Sequence, residues 1–331
     1  MSHPVRLILL PLGCGALVAC GGSGGGGPRP IPVVVEGPPP SVEPPTDPEG
    51  SIGLDTYGPF TVLAVEIETE LEMGDGPYYV GLEPERADVK FERRSSDGTY
   101  FITLPGLNRG ALYTTGYSGS YDESGWDQVY GSSNELLDGE AEYQDVVVFL
   151  RWPRDPEQPD SQFSYTSWGR WVQTFEYEDP PENLTTGIFV YGNATDPAAI
   201  PRTGSASYSG AVVGTSNQYG IHTDIAGSVD LLFDFGAGTL AGEMNPTICF
   251  FDCVPLGTYT FIDTVYASGS TTFSGAFSFD GKATDSWFEG LFNGPSAQEL
   301  MATFSAPFTA YAGTDGEMSG TMSGVWLGKR D

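Results

Sequence analysis

The sequence predicts an all-β protein in which a C-terminal eight-stranded antiparallel β-barrel follows a second, mostly β domain. Three observations carry this expectation. Short runs rich in β-branched and aromatic residues recur along the chain, many with apolar/polar alternation, the period of a strand. Past residue 185 glycine returns at short, regular intervals between these runs, as in Gly187-Ile-Phe-Val-Tyr-Gly192 and Gly204-Ser-Ala-Ser-Tyr-Ser-Gly210. One stretch reads as helical, Gly294-Pro295-Ser296-Ala297-Gln298-Glu299-Leu300, and it is a turn or two long.

Before Cys20 come Arg6, the mostly apolar stretch of residues 7–12 and small or apolar residues up to Ala19. A charged start, a short apolar core and a small-residue cleavage site describe a secretory signal over residues 1–19. The run is too short to span a membrane, which takes about 20 apolar residues. Leu17-Val18-Ala19-Cys20 resembles the lipobox of bacterial lipoproteins, in which the signal is cut before the cysteine and the new N-terminus is lipidated. That resemblance makes Cys20 the lipid carrier. Residues 20–50 then form a tether. Gly21 to Gly27 is almost pure glycine and should behave as coil; the proline-rich part that follows is a stiffer, extended spacer.

Residues 51–184 read as an N-terminal domain of strands and turns. Strands are expected at residues 60–69, 88–92 and 99–104, the last two joined through Ser96-Asp97-Gly98, a hairpin signal. Residues 144–152 make a nearly continuous apolar strand. Residues 161–177 alternate poorly in the middle, which suggests two strands kinked at Gly169. Residues 185–331 carry the barrel. Their glycine-spaced runs include residues 227–236, 238–244, 273–279, 287–292 and 316–326, and counting them gives roughly eight strands. Many short strands with even glycine spacing point to a closed barrel, where glycine lets the sheet bend and closure removes exposed edges.

Charge narrows the function classes. Against 44 acidic residues stand 14 basic ones, a formal net charge of -30. No basic face is visible, so nucleic-acid binding is not expected. The acid excess serves solubility or steers a basic partner. Membrane association is expected through the lipid alone. Of four cysteines, Cys249 and Cys253 remain after Cys14 leaves and Cys20 is lipidated, and their three-residue spacing suits a bridge across a hairpin tip. No metal or other cofactor is expected, since a metal site would need further ligands. Catalysis is not expected either. His222 is the one histidine left after processing, no Gly-x-Ser-x-Gly elbow precedes Asp224, and no nucleotide-binding loop occurs. Glu66, Glu68, Glu70 and Glu72 alternate along one strand face and read as a solvated row or as a calcium-like or basic-ligand site.

Aromatic residues supply the candidate contacts. Tyr113, Tyr117, Tyr121, Trp126 and Tyr130 lie in or beside the Gly/Ser-rich stretch of residues 114–133. Tyrosine and tryptophan in such loops give large contact area at modest entropic cost. The same pattern also fits a long hairpin whose aromatics pack on their own domain. Phe250 and Phe251, at the pinched tip between Cys249 and Cys253, are the second candidate.

Residues 288–305, a strand ending in Phe292, a Gly-Pro turn, Ala-x-Glu-Leu and a strand ending in Phe304-Ser305, resemble the closing signature of the transferrin-binding protein B-like surface lipoproteins. Residues 201–210 look like that family's opening barrel strand, residues 229–242 look like a further piece of the same family and residues 324–330 like its last strand. The motifs stand in family order over residues 185–331. The resemblance implies an eight-stranded barrel behind an N-terminal "handle", and an outer-membrane lipoprotein displayed on the cell surface by a dedicated translocator. Relatives bind host iron or haem carriers or complement regulators, some together with a TonB-dependent receptor. Full transferrin binders carry two lobes, and this chain has room for one. Residues 51–184 show no matching ligand motif, so no family binding residue is carried over. The resulting expectation is a single-lobe protein that binds a protein or solute ligand. The alternative is a structural or envelope-interaction lipoprotein without a soluble ligand.

Overall fold

The computed structural model describes residues 54, 56, 58–73, 77–94, 100–105, 111–113, 128–137, 141–150, 163–176, 183–218, 224–249 and 253–331. The first part holds β1 (Gly58–Pro59), β2 (Thr61–Met73), β3 (Pro77–Gly81), β4 (Glu85–Arg86), β5 (Lys90–Arg93), β6 (Tyr100–Thr103), β7 (Ala111–Tyr113), β8 (Gln128–Leu137), β9 (Ala141–Leu150), β10 (Thr166–Glu176) and β11 (Asn183–Gly192). The second part holds β12 (Ser205–Ser216), β13 (Asp224–Asp234), β14 (Thr239–Cys249), β15 (Cys253–Pro255), β16 (Tyr259–Val265), β17 (Thr272–Phe279), β18 (Lys282–Ala283), β19 (Trp287–Asn293), β20 (Glu299–Ala310) and β21 (Met318–Arg330).

Strands β12 to β21 close into the expected barrel. The order runs β13-β12-β21-β20-β19-β17-β16-β14, and β14 returns to β13, so eight strands make the ring. Short β15 and β18 add to β14 and β17. Alternation decides which side chains enter. On β13, Ile225, Val229, Leu231 and Phe233 are buried while Asp224, Asp230 and Leu232 face out. Eight strands leave an interior just wide enough for side chains. Here aromatic rings fill it. Trp326 stacks on Phe261 at 5.1 Å and on Phe304 at 5.8 Å between centroids, and Phe277 and Phe288 close the same cluster. Three buried polar tips are satisfied inside. Trp326 Nε1 donates to Met244 Sδ at 3.3 Å, Tyr208 Oη to the Ala297 carbonyl at 2.6 Å and Tyr259 Oη to the Pro307 carbonyl at 2.8 Å. Where β12 meets β21, Gly214 and Gly324 stand opposite each other, and a Cβ on Gly324 would collide with the Val213 carbonyl. Glycine there is a condition of strand approach.

Two sheets make the handle. One runs β1-β5-β6-β7; the other runs β3-β2-β11-β10-β9-β8, with β4 also on β2. Their shared core holds Phe60, Phe91, Tyr100, Ile102, Val146, Val148, Trp171, Phe189 and Tyr191. Phe91 stacks on Tyr100 at 5.0 Å and meets Tyr191 at 4.4 Å. The indole of Trp171 lies on Gly187 of the neighbouring strand, where any Cβ would strike the ring. The β5–β6 hairpin is the pairing expected around Asp97-Gly98.

A third apolar cluster joins the parts. Phe163, Trp168, Ile188 and Val190 of the handle pack on Leu291, Met301, Val325 and Leu327, which point outward from the barrel wall. All the described residues fall in one compact unit.

Three local expectations change. Residues 187–192 were grouped with the barrel by their glycines, but β11 pairs with β2 and β10, and the first barrel strand starts at Ser205. Gly169 produces no break, because β10 keeps one register with β11 from Thr166 to Phe175. The helix at residues 294–300 is a turn. Gly294 and Ala297 take φ of +82° and +56°, the Ser296 N–H is held by the Gln298 side chain at 2.8 Å, and Glu299 already begins β20. A left-handed alanine costs more than helix propensity can return in so short a segment.

Candidate binding surface

The sequence nominated aromatic residues near the handle's edge. Tyr113 ends β7, the last strand of the four-stranded sheet, opposite Tyr100. Tyr130 lies in β8, the last strand of the other sheet, opposite Val148. Residues 128–133 are therefore strand, and the connecting segment shortens to residues 114–127. That segment joins the edge strand of one sheet to the edge strand of the other. Tyr117, Tyr121 and Trp126 lie within it and outside the described residues, as do Phe250, Phe251, His222 and Cys20.

The disulfide between Cys249 and Cys253 is present, with Cα atoms 4.1 Å apart, and it forms the last pair of the β14–β15 ladder. Asp224 sits opposite Cys249 in register and reaches Arg170 of β10 at 3.8 Å. The bridged ends of β14 and β15 therefore lie on the side of the barrel near β10. Both aromatic candidates leave from strand ends that the two sheets and the barrel hold in place.

The acidic row is less uniform than its spacing suggests. Glu68 and Glu70 are exposed, as a solvated row requires. Glu66 is half-buried and stands directly opposite Glu85. Burial first, then the neighbouring charges of Glu68 and Glu85, pushes its carboxyl up to about 7. Among the described residues no group of three or more His, Cys, Asp or Glu stands close enough to hold a metal ion.

Sequence reasoning missed the polar seam between handle and barrel. Glu299, 1% exposed, accepts hydrogen bonds from the main-chain N–H groups of Ser164 at 2.7 Å and Tyr165 at 2.9 Å. Asn293 Nδ2 donates to Thr166 Oγ1 at 3.0 Å, and Thr195 Oγ1 donates to the Gly294 carbonyl at 2.7 Å. On the other side of the seam Arg86 lies over the Trp287 ring at 3.8 Å and pairs with Glu289 at 2.8 Å. One signal was legible: Glu299 is an acid in an otherwise apolar strand start, Glu-Leu-Met-Ala.

No family model and no curated protein matches this sequence. Solved structures do resemble the fold. A double-mutant transferrin binding protein B from Haemophilus parasuis is similar at a TM-score of 0.39 and 16% identity, over 81% of this chain and 44% of that one. Intact Ap-TbpB, with its N and C lobes, is similar at 0.31 and 14%, over 77% of this chain and 55% of that one. The isotype 1 protein of serogroup B Neisseria meningitidis is similar at 0.29 and 14%, over 83% and 77%. The chain thus spans about half the length of the first two, and the likeness is a distant one at low identity.

Proposed function

We propose that this protein is a lipid-anchored surface lipoprotein of the outer membrane. In this reading it holds a protein or solute ligand, without chemical conversion, on the handle side. The observation that carries the reading is the filled barrel. Among the described residues, Trp326, Phe261, Phe277, Phe288 and Phe304 pack the barrel interior that a ligand would otherwise enter. Recognition is then left to outer surfaces and loops, and the aromatic segment of residues 114–127 is anchored at both ends by strands. The motif resemblance of residues 201–210, 229–242, 288–305 and 324–330 supports the same reading and suggests iron or haem acquisition as the setting. A TonB-dependent receptor and a surface translocator are the partners that setting brings. The lipobox supplies the anchor, and the tether holds the folded part off the membrane.

The test is capture of partners from host fluids and membrane extract by the lipidated full chain, beside a Tyr117→Ala/Tyr121→Ala/Trp126→Ala variant. Loss of a captured partner in the variant supports the handle-loop site. A partner kept by the variant overturns that site and directs attention to Phe250 and Phe251. No partner in any fluid overturns the protein-binding reading. Separately, Cys20→Ser should abolish incorporation of labelled palmitate; labelling that persists removes the anchor from the proposal.

A further inference from the structure

The handle (residues 54–192) and the barrel (residues 205–331) are each continuous in sequence, and the chain passes between them once. Each has its own core. Separation would therefore need no rethreading of strands. What joins them is the apolar seam of eight buried side chains, solvent-facing polar contacts such as Arg86–Glu289, Arg170–Asp224 and Thr321–Glu83, and one buried polar node.

Glu299 is the centre of that node. Its two carboxylate oxygens take the consecutive N–H groups of Ser164 and Tyr165, and the Thr166 hydroxyl adds a third hydrogen bond. Consecutive main-chain amides converging on one carboxylate are an anion nest. Here the anion comes from the barrel and the nest from the two residues just before β10. The surroundings fix the carboxylate's place. Glu299 stands between Asn293 on β19 and Lys329 on β21 in register, and Asn293 reaches the same Thr166 hydroxyl. Handle and barrel main chains close around it: Asn193 N–H donates to the Tyr165 carbonyl at 3.0 Å, Gly294 N–H to the Asn193 carbonyl at 2.9 Å, and Thr195 N–H to the Phe292 carbonyl at 2.8 Å. The left-handed turn at Ala297 sets β20 to begin where this carboxylate meets the handle.

We propose that Glu299 is a latch, a single buried carboxylate that pins the handle to the barrel, so that its loss uncouples two units that each stay folded. The physical basis is the asymmetry of buried hydrogen bonds. Removing the acceptor leaves two main-chain donors without partners at a seam, a cost borne by the contact and not by either core.

The experiment is hydrogen exchange and calorimetry on the full chain carrying Glu299→Gln, which keeps one acceptor oxygen and replaces the other with a donor. Protection at Ser164, Tyr165 and Asn193 should fall about tenfold or more, while β13 and β14 keep theirs. The melting transition should separate into two. Protection lost equally across β13 and β14 would make Glu299 an ordinary part of the barrel fold and overturn the latch, as would unchanged protection at Ser164 and Tyr165. If Glu299→Gln does not fold, Thr166→Val decides. It should produce the same local loss at smaller amplitude, and a global loss or no loss there overturns the proposal.

Discussion

Glu66 is held between two carboxylates, Glu68 on its own strand and Glu85 on the next, with half of its surface out of water. Its folded value of about 7 lies above the unfolded 4.5. Between these values the folded chain keeps a proton that the unfolded chain has released. The group's contribution to stability is therefore complete below pH 4.5 and lost as pH rises through 7. Glu66→Gln should make the variant more stable than the parent at pH 8 by about 1 kcal/mol, after allowance for solvent screening, and leave little difference at pH 5. Urea titrations at the two values check this; a gap that does not change with pH refutes it. Trp171 and Gly187 make a second residue-scale case. The indole occupies the space a Cβ would need, so Gly187→Ala should cost about 1–3 kcal/mol through overpacking, seen as a lower urea midpoint at unchanged slope.

Among the elements, the barrel strands were legible because their cause is local. Gly214 and Gly324 occur where two strands approach closely, and the inward residues of β13 alternate along the sequence itself. The turn at Asp234 also has a local cause, its own Oδ1 accepting from the Gly236 and Ala237 N–H groups at 3.0 and 2.8 Å, although the run of residues 227–236 reads straight through it. Glu299 stands out as an acid at an apolar strand start, but its partners were not legible, because they lie more than a hundred residues earlier and are main-chain amides that no side-chain pattern announces. The same distance misled the reading of residues 294–300. Ala-Gln-Glu-Leu favours helix taken alone, but Ala297 is bound to Tyr208 across the barrel mouth. β11 was assigned to the wrong sheet because glycine marks close approach without saying what approaches; at Gly187 it is the ring of Trp171. Two measurements belong to this scale. Trp326→Ala, which empties the centre of the aromatic fill, should lose about 3–5 kcal/mol by chemical denaturation. Cys249→Ser with Cys253→Ser should lose no more than about 2 kcal/mol, because so short a loop restrains little of the unfolded chain.

For the whole molecule, a formal charge of -30 sets long-range self-repulsion against every contact described above. Raising salt past about 0.15 M, where screening acts beyond about 8 Å, should raise the melting temperature. A melting point that is flat or falls with salt refutes this. The same salt should weaken capture of any basic partner. The order in which strands pair adds a constraint in time. β12 is the first strand of the ring and β21 the last, and Tyr208 finds its register partner only at Arg330. Until that final segment arrives, the ring stays open at both β12 and β20, and Val325 and Leu327 are missing from the seam with the handle. Folding is thus governed by a contact between distant parts of the chain, the slow kind. A chain delivered from its N-terminus remains pliable until β21 is available, and commits to its native form only once that strand has joined β12 to β20.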